Sequence, residues 1–140
     1  MTVSNASDIT VQSLYVNATG INATALYDVA VTNSGDISAS TLYGYATGIS
    51  ASSSYIYGYG AFDGTTRVVN SGNIELVSPY AAFGKANGIG ASRVYGDVIV
   101  ENSGDIYIYA GGRSYGIDAR VLYGEVSVTN LRAAIEASKQ

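Results

Sequence analysis

The 140-residue sequence predicts an all-β chain folded as a parallel β-solenoid (β-helix), with three short strands per coil, about 28 residues per coil and about 4.5 coils. Three observations carry that expectation. A motif of the form V-x-V-x-N-S-G-D-I recurs along the whole chain. Within each recurrence apolar residues alternate with period two, which places them on one face of an extended strand. The composition suits many short strands joined by tight turns: 17 Gly, 13 Tyr, one Pro and 47% hydrophobic residues. Val, Ile, Tyr and Thr favour strands, and this apolar content is too high for a disordered chain.

The repeat is anchored on Asn5, Asn33, Asn70, Asn102 and Asn130. Apolar residues stand four and two positions earlier in nearly every case, as with Val29 and Val31 or Val98 and Val100. A single domain, 1–140, therefore divides into copies 1–28, 29–65, 66–97, 98–125 and a partial copy 126–140. The second and third copies carry insertions of about nine and four residues. The chain starts in phase and stops within a repeat, which reads as a piece of a longer array.

Each copy contains three alternating stretches, V-x-V, I-x-A and G-I-x-A, bounded by Gly, Asn or Asp. None is long enough to form a sheet alone, but stacked on its equivalents each becomes one rung of a parallel sheet. A thinner coil of about 14 residues would leave little interior, so the larger coil is preferred.

Stacking at about 4.8 Å turns every position into a ladder. The five Asn form one, because an amide both donates and accepts. Asn also tolerates a left-handed backbone, and Gly35, Gly72 and Gly104 are expected to complete that corner by bending there. Ile9, Ile37, Ile74, Ile106 and Ile135 form an apolar ladder, and Ile21, Ile49, Ile89 and Ile117 another, with small Ala23, Ala51, Ala91 and Ala119 keeping the core narrow. Tyr15, Tyr27, Tyr43, Tyr55, Tyr80, Tyr95 and Tyr123 each follow such an Ile by six residues, predicting an aromatic stack along each of two corners. Gly112 breaks the rule. Asp8, Asp36 and Asp105, with Asn73 between them, form a row that would repel itself or recruit a cation such as Ca²⁺ unless solvated. Solvated turn aspartates are the expectation.

The chemistry open to the chain is narrow. With neither His nor Cys, Ser-His and Cys-His nucleophilic catalysis, disulfides and the usual zinc sites are excluded. No phosphate-binding or dinucleotide fingerprint is present, and no cofactor, metal site or catalytic residue is predicted. The net charge of −4, with no Lys or Arg in residues 1–65, argues against nucleic acid. No apolar run is long enough to span a membrane, and no charged-then-apolar leader is present. Charged residues are expected mostly in turns, which disfavours a glycan-active enzyme. Thr-x-Thr ranks of the ice-binding kind are absent, V-x-V standing in their place.

Any binding is best sought where the repeat breaks, although the two interruptions read equally well as plain tolerated insertions. The segment 52–66 carries Tyr55, Tyr57, Tyr59 and Phe62 among Gly and Ser, and 78–88 carries Tyr80 and Phe83. Insertions in solenoids emerge as loops, and Tyr/Gly/Ser loops make adaptable contacts.

The repeat VxVxNSGDIxA…GIxA…YGD resembles the passenger repeats of bacterial autotransporters, secreted β-helical domains carried by an outer-membrane barrel. The likeness covers the whole chain and departs from the pattern at Leu131–Ala133. It implies an extracellular or cell-surface passenger acting as an adhesin or spacer, with a host-surface glycan or protein as partner. Two other readings stay open: a subunit that associates with itself through its open coil ends, and a β-helical glycan-active enzyme.

Overall fold

The structure is a computed structural model and describes residues 1–53, 64–80, 85–131 and 135–138. Every regular element among them is a strand. The first coil holds β1 (Thr2–Asn5), β2 (Ile9–Ser13) and β3 (Ala18–Ala25), and the second β4 (Val29–Asn33), β5 (Ile37–Thr41) and β6 (Ala46–Ser53). The third holds β7 (Thr65–Asn70), β8 (Ile74–Ser78) and β9 (Lys85–Tyr95), and the fourth β10 (Asp97–Asn102), β11 (Ile106–Ala110) and β12 (Arg113–Tyr123). Two strands, β13 (Val126–Asn130) and β14 (Ile135–Ser138), begin a fifth.

Corresponding strands pair in parallel, giving three sheets in the orders β1-β4-β7-β10-β13, β2-β5-β8-β11-β14 and β3-β6-β9-β12. We call these the first, second and third faces. Register follows the repeat: Asn5 pairs with Asn33, Asn33 with Asn70, Asn70 with Asn102 and Asn102 with Asn130. One coil is therefore 28 residues where nothing is inserted, and the thinner coil is ruled out. The third face is longer than its four-residue motif, with strands of 8 to 11 residues.

The interior is built from the predicted columns. Val31, Val68 and Val100 line the first face, Ile37, Ile74 and Ile106 the second, and Ile49 and Ile89 the third, all essentially inaccessible to water. Each such side chain contributes about 1.5–3 kcal/mol by leaving water. The second face keys into the third. A Cβ on Gly20 would lie 2.5 Å from the Ile37 γ-methyl, and one on Gly48 or Gly88 would lie 2.6 Å from Ile74 or Ile106. The glycine of one coil is thus the notch that admits the isoleucine of the next.

Gly35, Gly72 and Gly104 stand at bends as expected, but the corner uses no left-handed backbone. No residue other than glycine has a positive φ among those described, and only Gly96 (φ +99°) and Gly124 (φ +149°) do so among the glycines. Those two lie at the corner between the third face and the first. At the Asn corner the requirement is closeness. A Cβ on Gly35 would stand 2.1 Å from the Ser7 carbonyl oxygen, and one on Gly72 or Gly104 would stand 2.0 Å from the glycine carbonyl oxygen of the preceding coil.

One core position carries a mismatch. Thr66 is in register with Val29 and Val98, is fully buried, and its Oγ1 has no hydrogen-bond partner. Thr66→Val, nearly the same shape, is expected to stabilise the fold by about 1–2 kcal/mol by removing an unmatched hydroxyl from the core. A higher urea midpoint at unchanged m-value checks this.

Candidate functional site

The conspicuous polar residues of the repeat turn out to hold coil to coil. Each Asn side chain donates one N–H to the Oδ1 of the next: Asn5 to Asn33 at 2.8 Å, Asn33 to Asn70 at 2.8 Å, Asn70 to Asn102 at 2.7 Å and Asn102 to Asn130 at 3.0 Å. The second N–H goes to a carbonyl oxygen two residues on in the same coil, Gly35, Gly72 or Gly104, at 2.7 Å. Asn33, Asn70 and Asn102 are each 1% exposed. Both donors of each buried amide are engaged, so the ladder has none left for a ligand.

The aspartate row has the same character. Asp36 N–H donates to Asp8 Oδ1 at 3.0 Å, Asn73 N–H to Asp36 Oδ1 at 2.8 Å, and Asp105 N–H to Asn73 Oδ1 at 3.0 Å. An acceptor oxygen is all the position requires, which is why Asn73 serves among carboxylates. Other corners repeat the device: Thr65 N–H donates to Asp28 Oδ1 at 2.8 Å, Tyr45 N–H to Asn17 Oδ1 at 3.0 Å and Glu125 N–H to Asp97 Oδ1 at 3.1 Å. Beside the row lies a shallow hollow of about 330 Å³, lined in part by Asp8, Asp36, Asn73 and Glu75. Among the described residues no three acidic side chains converge as metal ligands.

The tyrosines form the exposed rows. At the corner between the second and third faces, Tyr15 stacks on Tyr43 with ring centroids 5.5 Å apart and planes 7° apart, and Tyr43 stacks on Tyr80 at 5.8 Å and 28°. At the corner between the third and first faces, Tyr95 stacks on Tyr123 at 5.0 Å and 13°. Tyr15 is 72% exposed, and its neighbours Leu14 and Val16 are also open to water. Inner rings such as Tyr43 have a ring on each face, so they present edges and hydroxyls outward. Of the predicted binding residues, Tyr80 is placed in this stack. Tyr55, Tyr57, Tyr59, Phe62 and Phe83 lie outside the described residues.

No protein family, curated protein or solved structure matches the chain. Its surfaces are therefore read from their own geometry.

Charge is distributed otherwise than the sequence suggested. Turns hold Asp8, Asp28, Asp36, Asp105 and Glu125, but Arg67, Lys85, Arg93, Arg113 and Arg120 all lie in strands. Two of these pair across the surface: Arg67 Nη2 with Glu101 at 2.9 Å and Arg120 Nε with Asp118 at 2.6 Å. The hydrogen bond from Arg120 to Asp118, and then the charge of that carboxylate, raises the Arg120 pKa above its ordinary value.

Arg93 is the residue that sequence reasoning missed. It lies in the inward column beside Val121, one register step beyond the paired Ser52 and Ser92, and is only 5% exposed. Its Nε donates to the Tyr95 carbonyl oxygen, and its Nη1 reaches the Tyr27 carbonyl oxygen at 2.9 Å. Tyr27 closes the first coil and Tyr95 the third, so the guanidinium bridges the corner from which 54–63 departs. Arg93→Met is expected to cost about 3 kcal/mol, since charge-assisted bonds from a buried guanidinium to two part-buried carbonyls are lost. Arg93→Lys should recover only part of it, lacking the planar fork. Chemical denaturation of the three proteins checks both.

Proposed function

We propose that the chain is a non-enzymatic structural and adhesive repeat domain of a cell-surface or secreted bacterial protein, of the autotransporter-passenger kind that its repeat resembles. The carrying observation is the stacked ridge Tyr15–Tyr43–Tyr80, flanked by exposed Leu14 and Val16. A continuous exposed apolar patch on a rigid scaffold marks a contact surface. The division of labour among side chains supports the same reading: buried Asn and turn Asp residues bind the coils together, and the rows left outward are aromatic.

The test is adhesion of the immobilised chain to cell surfaces and to a glycan array, alongside Tyr15→Ser/Tyr43→Ser. Weakened binding by that double variant is expected. Release of new reducing ends from any polysaccharide would overturn the non-enzymatic reading in favour of a glycan-active enzyme.

A second reading is self-association through the coil ends. Val126 and Val128 are 44% and 47% exposed, although their register partners Val98 and Val100 are fully buried. Unpaired parallel edges with uncovered apolar rungs invite pairing. Sedimentation velocity should then show concentration-dependent growth that Val128→Lys suppresses; a strict monomer at high concentration would exclude it.

A further inference from the structure

The chain offers a one-electron oxidant almost nothing but phenols. It contains no Cys, Trp or His and one Met, against 13 Tyr. A covalent tie between its coils therefore cannot be a disulfide, and tyrosine is the side chain whose chemistry can make one. An oxidised phenol spreads its radical onto the two ring carbons beside the one bearing oxygen. It couples there to a second such ring when one is within reach.

Reach divides the tyrosines into two groups. Tyr15, Tyr43 and Tyr80 hold successive ring centroids 5.5 and 5.8 Å apart, and Tyr95 and Tyr123 hold theirs 5.0 Å apart. These three contacts join one coil to the next, across 28, 37 and 28 positions of sequence. Tyr15, Tyr43, Tyr80 and Tyr123 are each more than half exposed. An oxidant has access to these rings, and the rings have room to turn. Tyr45 and Tyr107 are exposed as well, but they stack on no ring among the described residues. A radical on either must wait for another molecule, whereas a radical on a stacked ring has its partner held beside it. Holding two reacting groups together in this way replaces a slow bimolecular encounter with an intramolecular step.

We propose that the stacked tyrosines are sites of oxidative coupling, Tyr15 to Tyr43 or Tyr43 to Tyr80 at one corner and Tyr95 to Tyr123 at the other. The oxidising system is hydrogen peroxide with a peroxidase. Each of two phenols loses one electron and its O–H proton. The two radicals then form one C–C bond between Cε carbons, the near-parallel rings tilting to bring these carbons together. Each bonded carbon gives its hydrogen back to the phenol oxygen through solvent, and both rings regain aromaticity. The pair has lost two electrons and two protons, which one peroxide takes up to become two waters. The product ties coil to coil at the two corners where no Asn ladder runs, whatever the chain adheres to.

The test is treatment of the whole 140-residue chain, at micromolar concentration, with hydrogen peroxide and a peroxidase. Monomer that gains dityrosine fluorescence and loses two hydrogens in mass per bond is expected. Fragment spectra after cleavage at aspartate should place the bonds within the two stacks. The coupled monomer should unfold at a midpoint about 5–10 °C higher, because each bond closes a loop of one coil. Tyr43→Phe keeps the ring but not the phenol. It should abolish both bonds at its own corner and leave Tyr95–Tyr123 coupling intact, which also shows that the fold is kept. Coupling chiefly at tyrosines outside the stacks, or equally fast in urea-unfolded chain, would overturn the role of stacking. Only intermolecular products, or none, would overturn the proposal outright.

Discussion

Asn70→Asp is expected to lower stability by about 4 kcal/mol at neutral pH, and to lose much less near pH 3.5. The two side chains have nearly the same shape, so packing is preserved and only hydrogen bonding changes. Asn70 accepts from Asn33 Nδ2 at 2.8 Å and donates to Asn102 Oδ1 and to the Gly72 carbonyl oxygen, both at 2.7 Å. A carboxylate keeps the first bond, but it sets negative oxygen against two acceptors at a site 1% exposed. Burial and the missing donors both favour the protonated form, so the introduced group has a folded-state pKa above its unfolded value of about 3.9. The folded state then holds the proton more tightly than the unfolded state. Its stability is greatest below the unfolded pKa and is lost as pH rises toward the folded one. Urea unfolding of parent and variant at both pH values reads this directly. Asn70→Ala should be destabilised to a degree that does not vary over that range, because it introduces no titrating group.

Gly72→Ala should cost about 3 kcal/mol, near the upper end for overpacking, with no pH dependence of its own. The added methyl would meet the Gly35 carbonyl oxygen at 2.0 Å and its carbon at 2.5 Å. Both are backbone atoms, so no rotamer change relieves the contact. The coils cannot part to admit it while the amides on either side remain bonded at 2.8 and 2.7 Å. The stability measurement should show a lower urea midpoint with an unchanged m-value. Retained parental stability would mean that coil spacing yields locally, contrary to the packing at this corner.

How legible these features were depended on whether a residue type has one physical use or several. The Asn, Ile and Val ladders could be read directly, since in-register stacking repeats one letter at one position. Gly72 was legible as a corner but not in its cause, because glycine answers both to a positive φ and to a close backbone approach. The aspartate row looked like a problem of repulsion because the backbone N–H groups it accepts from the next coil leave no trace in side-chain spacing. Asn73 was the available clue, since a neutral acceptor fits there equally well. Arg93 was legible in its column, two residues after Ala91 as Val121 is after Ala119, but a cation in a column otherwise made of Ala25, Ser53 and Val121 follows no pattern. The tyrosine spacing foretold two stacks. It did not show that stacking hides ring faces, so that an inner ring such as Tyr43 presents only its edge and hydroxyl.

The register also separates variation from stability. Eleven residues stand between Ser53 and Thr65, yet β6 and β7 on either side pair with their neighbours without a slip. Asn33 and Asn70, 37 positions apart, meet as closely as Asn5 and Asn33, 28 apart. A scaffold of this kind can take up foreign sequence at its corners while each coil continues to recognise the next. Grafting a peptide epitope at 54–63 should therefore leave the unfolding transition nearly where it was, making this corner a natural place for the chain to diversify, or to be engineered.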